Sequence, residues 1–236
     1  MAERWKWLHK HLHFLSPQNT GPPRHKLKRD VWVDTVKKFT CSKKRDLLLE
    51  ALEHGIKVPF TKELTPTMPF VRARPMATDD NVAMAEWLMK EVNMGGISGP
   101  HDTLPEGMAL STHFVLTQRG GTKKRIISDL SYAPKGTQSV NDRVGLEPYE
   151  VKLIDVSDIT KLIVDIGSEA WLCKIDLSDA YRHIGLCPEH TKYMGFEFDG
   201  RFYYHRVLPF GLNYAVYGCC LFSDAWGQIV MQRGRT

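Results

Sequence analysis

The sequence predicts an α+β fold in which antiparallel hairpins pack against helices. Two kinds of segment support this. Several stretches place apolar residues at helical spacing, and two β-rich stretches each surround a glycine-containing turn, Gly120-Gly121 and Asp199-Gly200. Hydrophobic residues make up 42% of the 236 residues, so the chain can also form a sizeable core. This length allows one large domain, or one domain with a substantial extension.

Residues 1–75 are predicted to form a basic N-terminal extension and linker. A short amphipathic helix is indicated by four apolar residues at helical spacing: Trp5, Leu8, Leu12 and Leu15. A second helix is predicted within residues 43–60, where Gly55 supplies a stop and Pro59 prevents continuation. A proline-rich connector then runs to about residue 75.

The positive charge of the chain is concentrated near its N-terminus. Residues 1–62 contain 14 Lys and Arg against 6 Asp and Glu, whereas the remainder contains 18 against 21. A basic extension on a nearly neutral body indicates a polyanionic partner such as nucleic acid. A solvated arm without a partner is the equal alternative, because charge by itself does not separate the two.

The middle of the chain predicts a helix followed by a hairpin. The helix spans residues 79–96, with Asp79, Asp80 or Asn81 as its cap. Strands at 112–117 and 125–130 then flank the glycine pair. The hairpin tip carries four basic residues: Arg119, Lys123, Lys124 and Arg125. Such a tip is either an edge hairpin protected by charge or a flap that binds phosphates.

The C-terminal half predicts four further elements. Residues 155–167 have the pattern of an amphipathic helix that ends at Gly167. A short buried strand, 170–177, carries Asp176 near its end, and a second hairpin occupies 192–211. The last predicted element is a largely buried helix over residues 215–233.

Asp176 is the first candidate for chemistry. A carboxylate at the end of a strand is rigidly presented, as a ligand for a hard cation such as Mg²⁺ requires. Asp179 is either a second ligand or a cap for the following turn. Tyr181 would lie beside a bound sugar, where a planar ring can exclude a ribose 2′-hydroxyl. Taken without its neighbours, this cluster is more typical of an ordinary strand-to-helix turn with an Asp cap.

Three ordered sequence blocks together give a stronger indication. They are "KKRIISDLS" (123–131), "KIDLSDAY" (174–181) and "LPFGLNYA" (208–215). In this order and spacing they resemble the reverse transcriptase family, especially the polymerases of retrotransposons, over about residues 80–230. The resemblance implies that residues 76–236 form the fingers and an incomplete palm of a right-hand polymerase. The activity it implies is template-directed DNA synthesis by two-metal nucleotidyl transfer.

The resemblance also implies a role for each motif residue. Asp176 would bind the two Mg²⁺ ions, and Tyr181 would select the sugar. Arg125, helped by Arg119 or Lys123, would bind the β- and γ-phosphates of a deoxynucleoside triphosphate. Phe210 and Gly211 would line the nucleotide pocket. The implied partners are deoxynucleoside triphosphates and an RNA or DNA template with its primer.

The sequence departs from the family pattern at three places. One is Val216, which stands where a proline usually follows "PFGLxxA". The first arm of the fingers hairpin usually carries a lysine, and Gln118 occupies the equivalent position, next to Arg119. The Tyr-x-Asp-Asp motif, which supplies the other catalytic carboxylates, does not occur downstream of residue 215. We therefore expect a truncated chain that is inactive alone. The alternatives are a non-catalytic nucleic-acid-binding module, or a separate N-terminal part that contacts the element's own coat protein or nucleic acid.

The sequence also indicates a compartment. The five cysteines are odd in number and form no CxxC pair, which favours a reducing environment. The N-terminus lacks the apolar core of a signal peptide, and no apolar run reaches the length of a membrane span. We therefore expect an intracellular protein, cytoplasmic or nuclear, without a membrane partner.

Overall fold

Helices and antiparallel strands are interspersed along the chain, so the fold class is α+β, as the sequence predicts. The computed structural model describes residues 2–12, 29–39, 41–61, 71, 73–118, 123–145, 151, 153–167, 171 and 176–233. The helices are α1 (Ala2–Leu12), α2 (Arg29–Val36), α3 (Ser42–His54), α4 (Thr78–Asn93), α5 (Val156–Ile166) and α6 (Asn213–Arg233). The strands are β1 (Ile97–His101), β2 (Thr112–Thr117), β3 (Lys124–Asp129), β4 (Gly195–Phe198) and β5 (Arg201–His205). None of the helices within these residues is long and apolar enough to cross a lipid bilayer.

The strands form two antiparallel sheets. One sheet has three strands in the order β1-β5-β4, and the other is the β2–β3 hairpin. Asp199 and Gly200 join β4 to β5 with φ angles of 53° and 72°. Positive φ at both central residues is the signature of a type I′ turn, whose twist matches that of the flanking strands. The predicted Asp-Gly hairpin is therefore confirmed, whereas the Gly120-Gly121 turn lies outside the described residues.

Local chemistry explains several helix ends. Gly55 ends α3 with a φ of 82°, and its N–H donates to Ala51 O. Asp155 begins α5 in a reciprocal capping box with Asp158. The predicted caps of α4 are wrong, because the helix begins earlier: Ala77 occupies the N-cap without a side-chain hydrogen bond. Asp79 and Asp80 therefore lie inside the first turn, where negative charge is favourable.

Two hydrophobic clusters form the core. The α3–α6 cluster contains Leu48 of α3, Val36 of α2 and Leu221 of α6. The α4–sheet cluster contains Leu88 of α4, Phe196 of β4 and other strand residues. The basic N-terminal segment contributes to both, since Leu8 of α1 is buried in the second cluster. The described helices of this segment are thus packed parts of the fold, and the predicted boundary near residue 75 stays a prediction.

Two predicted elements differ in their surroundings. Residues 172–175 of the predicted buried strand lie outside the described residues, and Trp171 and Leu177 on either side are 99% and 51% exposed. Helix α5 forms where its pattern predicts, but none of its residues is buried. Its apolar residues Leu162 and Ile166 are 58% and 62% exposed. No described element covers this apolar face.

Candidate nucleotide-binding site

The three sequence blocks converge on Phe210. The backbone N–H of Ser128, near the end of β3, donates to Phe210 O at 3.0 Å. The ring of Tyr181 meets the ring of Phe210 edge to face, with centroids 4.9 Å apart and planes at 63°. Phe210 keeps 36% of its surface exposed. Segments about 30 to 80 residues apart in sequence thus form one surface with an accessible aromatic ring.

Gly211 makes this convergence possible. Its φ is +109°, and a Cβ at this position would overlap the carbonyl oxygen of Ser128. Only glycine tolerates both this backbone conformation and such a close approach. Asn141 holds the same loop from the other side, since its Nδ2 donates to Gly211 O at 2.7 Å and its Oδ1 accepts from Asn213 N at 3.0 Å. The loop that carries Phe210 is therefore fixed on both sides.

Arg125 lies on the exposed face of the β2–β3 hairpin. It pairs across the hairpin with Leu116, and residues directly opposite each other share a face. In the amide orientation that satisfies both groups, the side-chain oxygen of Gln118 accepts from Arg125 Nη2 at 2.9 Å and from Nε at 3.2 Å. Gln118 thus orients the guanidinium of Arg125.

The other predicted basic ligands have different surroundings. Lys123 is exposed beside β3, and Arg119 lies outside the described residues. Lys124 is engaged elsewhere, because its Nζ donates to Asp80 Oδ1 at 2.6 Å. Asp129 of the same block lies 3.8 Å from Arg74 in an ion pair. Phosphate binding by Arg125 and Lys123 stays a prediction.

Asp176 is exposed and lines a cavity of about 430 Å³. The walls of this cavity include Trp32 of α2 together with Phe222 and Trp226 of α6. Within the described ranges, no group of three or more His, Cys, Asp and Glu side chains gathers as a metal site. Mg²⁺ requires about six oxygen ligands. Waters and substrate phosphates usually supply most of these ligands, so Mg²⁺ binding by Asp176 stays a prediction.

Asp179 does not cap the turn that follows it. It precedes the 3₁₀ turn Ala180–His183, but its backbone is left-handed, with a φ of 53°, and its side chain makes no capping hydrogen bond. An N-cap normally has an extended backbone, which explains why capping fails here. Its Oδ2 instead accepts from Lys90 Nζ of α4 at 3.1 Å. The capping alternative is wrong, and metal binding by Asp179 stays a prediction.

A buried polar network lies behind this surface. Arg182, 6% exposed, donates from Nε and Nη2 to Glu91 Oε2 and from Nη1 to His205 Nδ1 at 3.0 Å. A guanidinium has only donors, so His205 Nδ1 must be the unprotonated nitrogen and Nε2 must carry the proton. The His205 Nε2–H then donates to Ser128 Oγ at 3.1 Å, and the Ser128 hydroxyl donates to His113 Nε2 at 2.9 Å.

Burial sets the charge states in this network. It lowers the pKa of His113 to about 3, and it lowers the pKa of His205 well below 6.5, with Arg182 adding to both shifts. Both imidazoles are therefore neutral near pH 7, as the hydrogen bonds require. Burial also lowers the pKa of Arg182, but Glu91 opposes this shift. The guanidinium stays charged near pH 7, so one oriented chain of hydrogen bonds joins α4, β5, β3 and β2.

Sequence reasoning missed every side chain of this network. One signal was present, because Glu91 continues the apolar stripe of Met84 and Leu88 at helical spacing. A carboxylate within a buried stripe requires a buried cation as its partner. The identity of that partner was not readable, since Arg182 lies 91 residues further along the chain.

Comparison with known proteins gives no family assignment. No protein-family model matches the chain, and no curated protein matches it either. The family resemblance therefore depends on the three sequence blocks themselves.

Proposed function

We propose that this chain forms the fingers and part of the palm of a retroelement reverse transcriptase domain, which binds an incoming deoxynucleoside triphosphate beside a primer–template duplex. The observation that carries this proposal is the convergence on Phe210. Ser128 of the first block and Tyr181 of the second both contact Phe210 of the third. Blocks that were recognised separately in the sequence have no structural need to meet, and a shared nucleotide pocket accounts for their meeting.

The residues on this surface have suitable chemistry. The exposed guanidinium of Arg125 can bind phosphate oxygens through two parallel hydrogen bonds. The paired rings of Tyr181 and Phe210 offer a flat apolar surface for a sugar and base. In this family bound Mg²⁺ activates the primer hydroxyl and neutralises the triphosphate, and Asp176 would be one of its ligands. Nucleotide binding is the part of the activity for which the described residues supply the groups.

Nucleotide-dependent binding of a duplex tests the proposal without requiring catalysis. The probe is a fluorescent primer–template with a dideoxy-terminated primer and thymine as the next template base, followed by anisotropy. We expect dATP to tighten the complex more than dCTP does. The Arg125→Ala variant should weaken this response to dATP by about tenfold or more, because it removes hydrogen bonds to a charged group. The control Lys161→Ala removes an exposed charge on α5 and should respond like the wild type.

The possible results separate the two functions. A wild-type response to dATP that Arg125→Ala lacks supports the polymerase proposal. Duplex binding that is indifferent to every nucleotide contradicts it and favours the non-catalytic binding module. Failure to bind the duplex at all overturns both.

Duplex binding itself has a candidate surface at the α2–α3 connection. Lys37, Lys38 and Lys43 are exposed there, within eight residues of one another. They belong to the basic segment that indicates a polyanionic partner. Deleting residues 1–62 is an unsuitable test, because it would remove buried side chains such as Leu48 and Leu52 from the core.

Charge neutralisation tests this surface more cleanly. The triple variant Lys37→Gln, Lys38→Gln and Lys43→Gln should bind the duplex more weakly at low salt. The slope of log affinity against log salt should become shallower by about 0.9 for each phosphate that the variant no longer neutralises. The Lys161→Ala variant again serves as the control. An unchanged slope in the triple variant would exclude this surface from the interface.

A further inference from the structure

The strongest feature outside the predicted motifs is the ion pair between Glu91 of α4 and Arg182. Their side chains are 2% and 3% exposed. Arg182 Nε lies 3.0 Å from Glu91 Oε2, and Arg182 Nη2 also donates to the backbone oxygen of Gly96 at 3.2 Å. None of the three sequence blocks contains either residue.

This ion pair lies next to Tyr181 in the same 3₁₀ turn, Ala180–His183. The backbone N–H of Arg182 donates to Asp179 O at 2.7 Å, which closes the turn. Helix α4 holds the turn at a second position through Lys90 and Asp179. Since Lys90 and Glu91 are adjacent in a rigid helix, both ends of the turn that presents Tyr181 are anchored to one element.

The surrounding backbone leaves space for the ion pair and for little else. A Cβ on Gly96 would lie 2.6 Å from Glu91 Oε2 and 2.9 Å from Arg182 Nη2. Any side chain at position 96 would therefore displace the two charged groups. The sequence provides glycine where these groups pass the backbone.

A contribution to folding stability does not explain well why the chain has a buried ion pair here. Desolvation of two charges often exceeds their attraction, and well-packed apolar side chains can replace them without loss. What the guanidinium adds is a fixed direction, since Nε and Nη2 of one rigid plane both donate to Glu91 Oε2. The ion pair is therefore better explained by the position it imposes on the turn.

We propose that Arg182 is a positioning residue: its ion pair with Glu91 fixes the Tyr181 ring against Phe210 and thereby sets the preference of the pocket for deoxyribose over ribose. This inference rests on the proposed function. Tyr181 touches the sugar, and Arg182 acts through Tyr181. When the turn shifts, the Tyr181 ring moves with it and leaves room for the ribose 2′-hydroxyl.

The test compares dATP with ATP in the anisotropy assay with the dideoxy-terminated duplex. The measured quantity is the ratio of the ATP to the dATP concentration that gives half-maximal tightening. Two variants disturb the ion pair while keeping both charges. Arg182→Lys removes the planar guanidinium with its two donors to Glu91, and Gly96→Ala adds a methyl group that collides with both charged side chains. Tyr181→Ala gives the ratio that is measured when the ring that excludes the 2′-hydroxyl is absent. Arg206→Met is the matched control, because Arg206 is also buried but donates to Gly95 O at 3.3 Å.

We expect Arg182→Lys and Gly96→Ala to lower the ratio by about tenfold, towards that of Tyr181→Ala, since displacements on the order of 1 Å have large effects on positioned groups. The control should keep the wild-type ratio. Should either variant fail to fold, the double variant Glu91→Leu and Arg182→Met replaces both charges and is expected to lower the ratio equally. Folded variants with an unchanged ratio overturn the inference.

A second readout separates this inference from the proposed function. The ¹⁹F chemical shift of a 3-fluorotyrosine placed at position 181 depends on the position of its ring relative to the ring of Phe210. Arg182→Lys and Gly96→Ala should move this signal, whereas Arg206→Met should not. A wild-type complex that ignores both nucleotides overturns the proposed function, and the sugar preference with it. An unmoved ¹⁹F signal overturns the positioning role whatever the nucleotides do.

Discussion

Replacement of Glu91 by leucine alone is expected to lower the free energy of unfolding by about 3–5 kcal/mol. The change leaves the guanidinium of Arg182 buried without a carboxylate. Its remaining acceptors are His205 Nδ1 and the backbone oxygen of Gly96, which are both neutral. A buried charge without a counter-charge is among the costliest defects that one substitution can create. Urea unfolding at pH 7, followed by circular dichroism, measures the effect.

A double-mutant cycle shows whether the loss comes from the unpaired charge. The variant with both Glu91→Leu and Arg182→Met should recover most of the stability, because neither charge remains. The exposed ion pair between Lys44 and Asp224 provides the control, with side chains 44% and 49% exposed. Asp224→Asn should cost at most about 1 kcal/mol, as is usual for surface pairs. The prediction would be contradicted if Glu91→Leu alone and the double variant lowered the free energy of unfolding equally.

Stability is also expected to fall as the pH is lowered from 6.5 towards 4. Burial lowers the pKa of His113 to about 3 and that of His205 well below 6.5. In the unfolded chain both imidazoles titrate near 6.5, so the unfolded state takes up protons first as the pH falls. The two neutral imidazoles contribute fully to the stability of the native state above pH 6.5, and this contribution decreases as the pH falls below that value. At pH 5 the loss from His113 should be roughly 2 kcal/mol, and His205 adds a loss in the same direction.

The His113→Gln variant isolates this contribution from that of the carboxylates. Glutamine keeps a polar group beside Ser128 but does not titrate in this range. Between pH 6 and pH 4 the variant should lose about 1.4 kcal/mol per pH unit less than the wild type. The control His54→Gln alters an exposed histidine at the end of α3 and should keep the wild-type slope. If His113→Gln and His54→Gln have the same slope, the buried imidazoles do not control the acid response.

Much of the secondary structure follows from short-range chemistry. The Asp199-Gly200 pair specifies its hairpin because few other residues tolerate positive φ at both positions. Gly55 and Gly167 end their helices for a related reason. The failed prediction concerns the start of α4, where a difference of one or two residues moves Asp79 and Asp80 from the cap into the first turn. A helix start is less constrained locally than a glycine stop.

The site was only partly predictable. Motif spacing in the sequence selected Tyr181, Phe210 and Arg125 as candidates. Their geometry depends on contacts that no local pattern encodes, such as the Ser128 hydrogen bond to Phe210 across more than eighty residues. The family resemblance implies a place for Gly211 in a nucleotide pocket, which stays a prediction, whereas the structure shows that its missing side chain lets the Phe210 loop reach β3.

The sequence by itself determined the fold class, the two hairpins, the position of most helices and the candidate residues of the site, because these depend on periodicity, turn chemistry and motif spacing. Only the tertiary structure decided how the site is held together. Glu91 and Arg182 acquire their roles when α4 packs beside the turn that carries Tyr181. The physical reason is that a buried charge must be neutralised by whichever partner the fold brings near, and that partner lies far away in sequence.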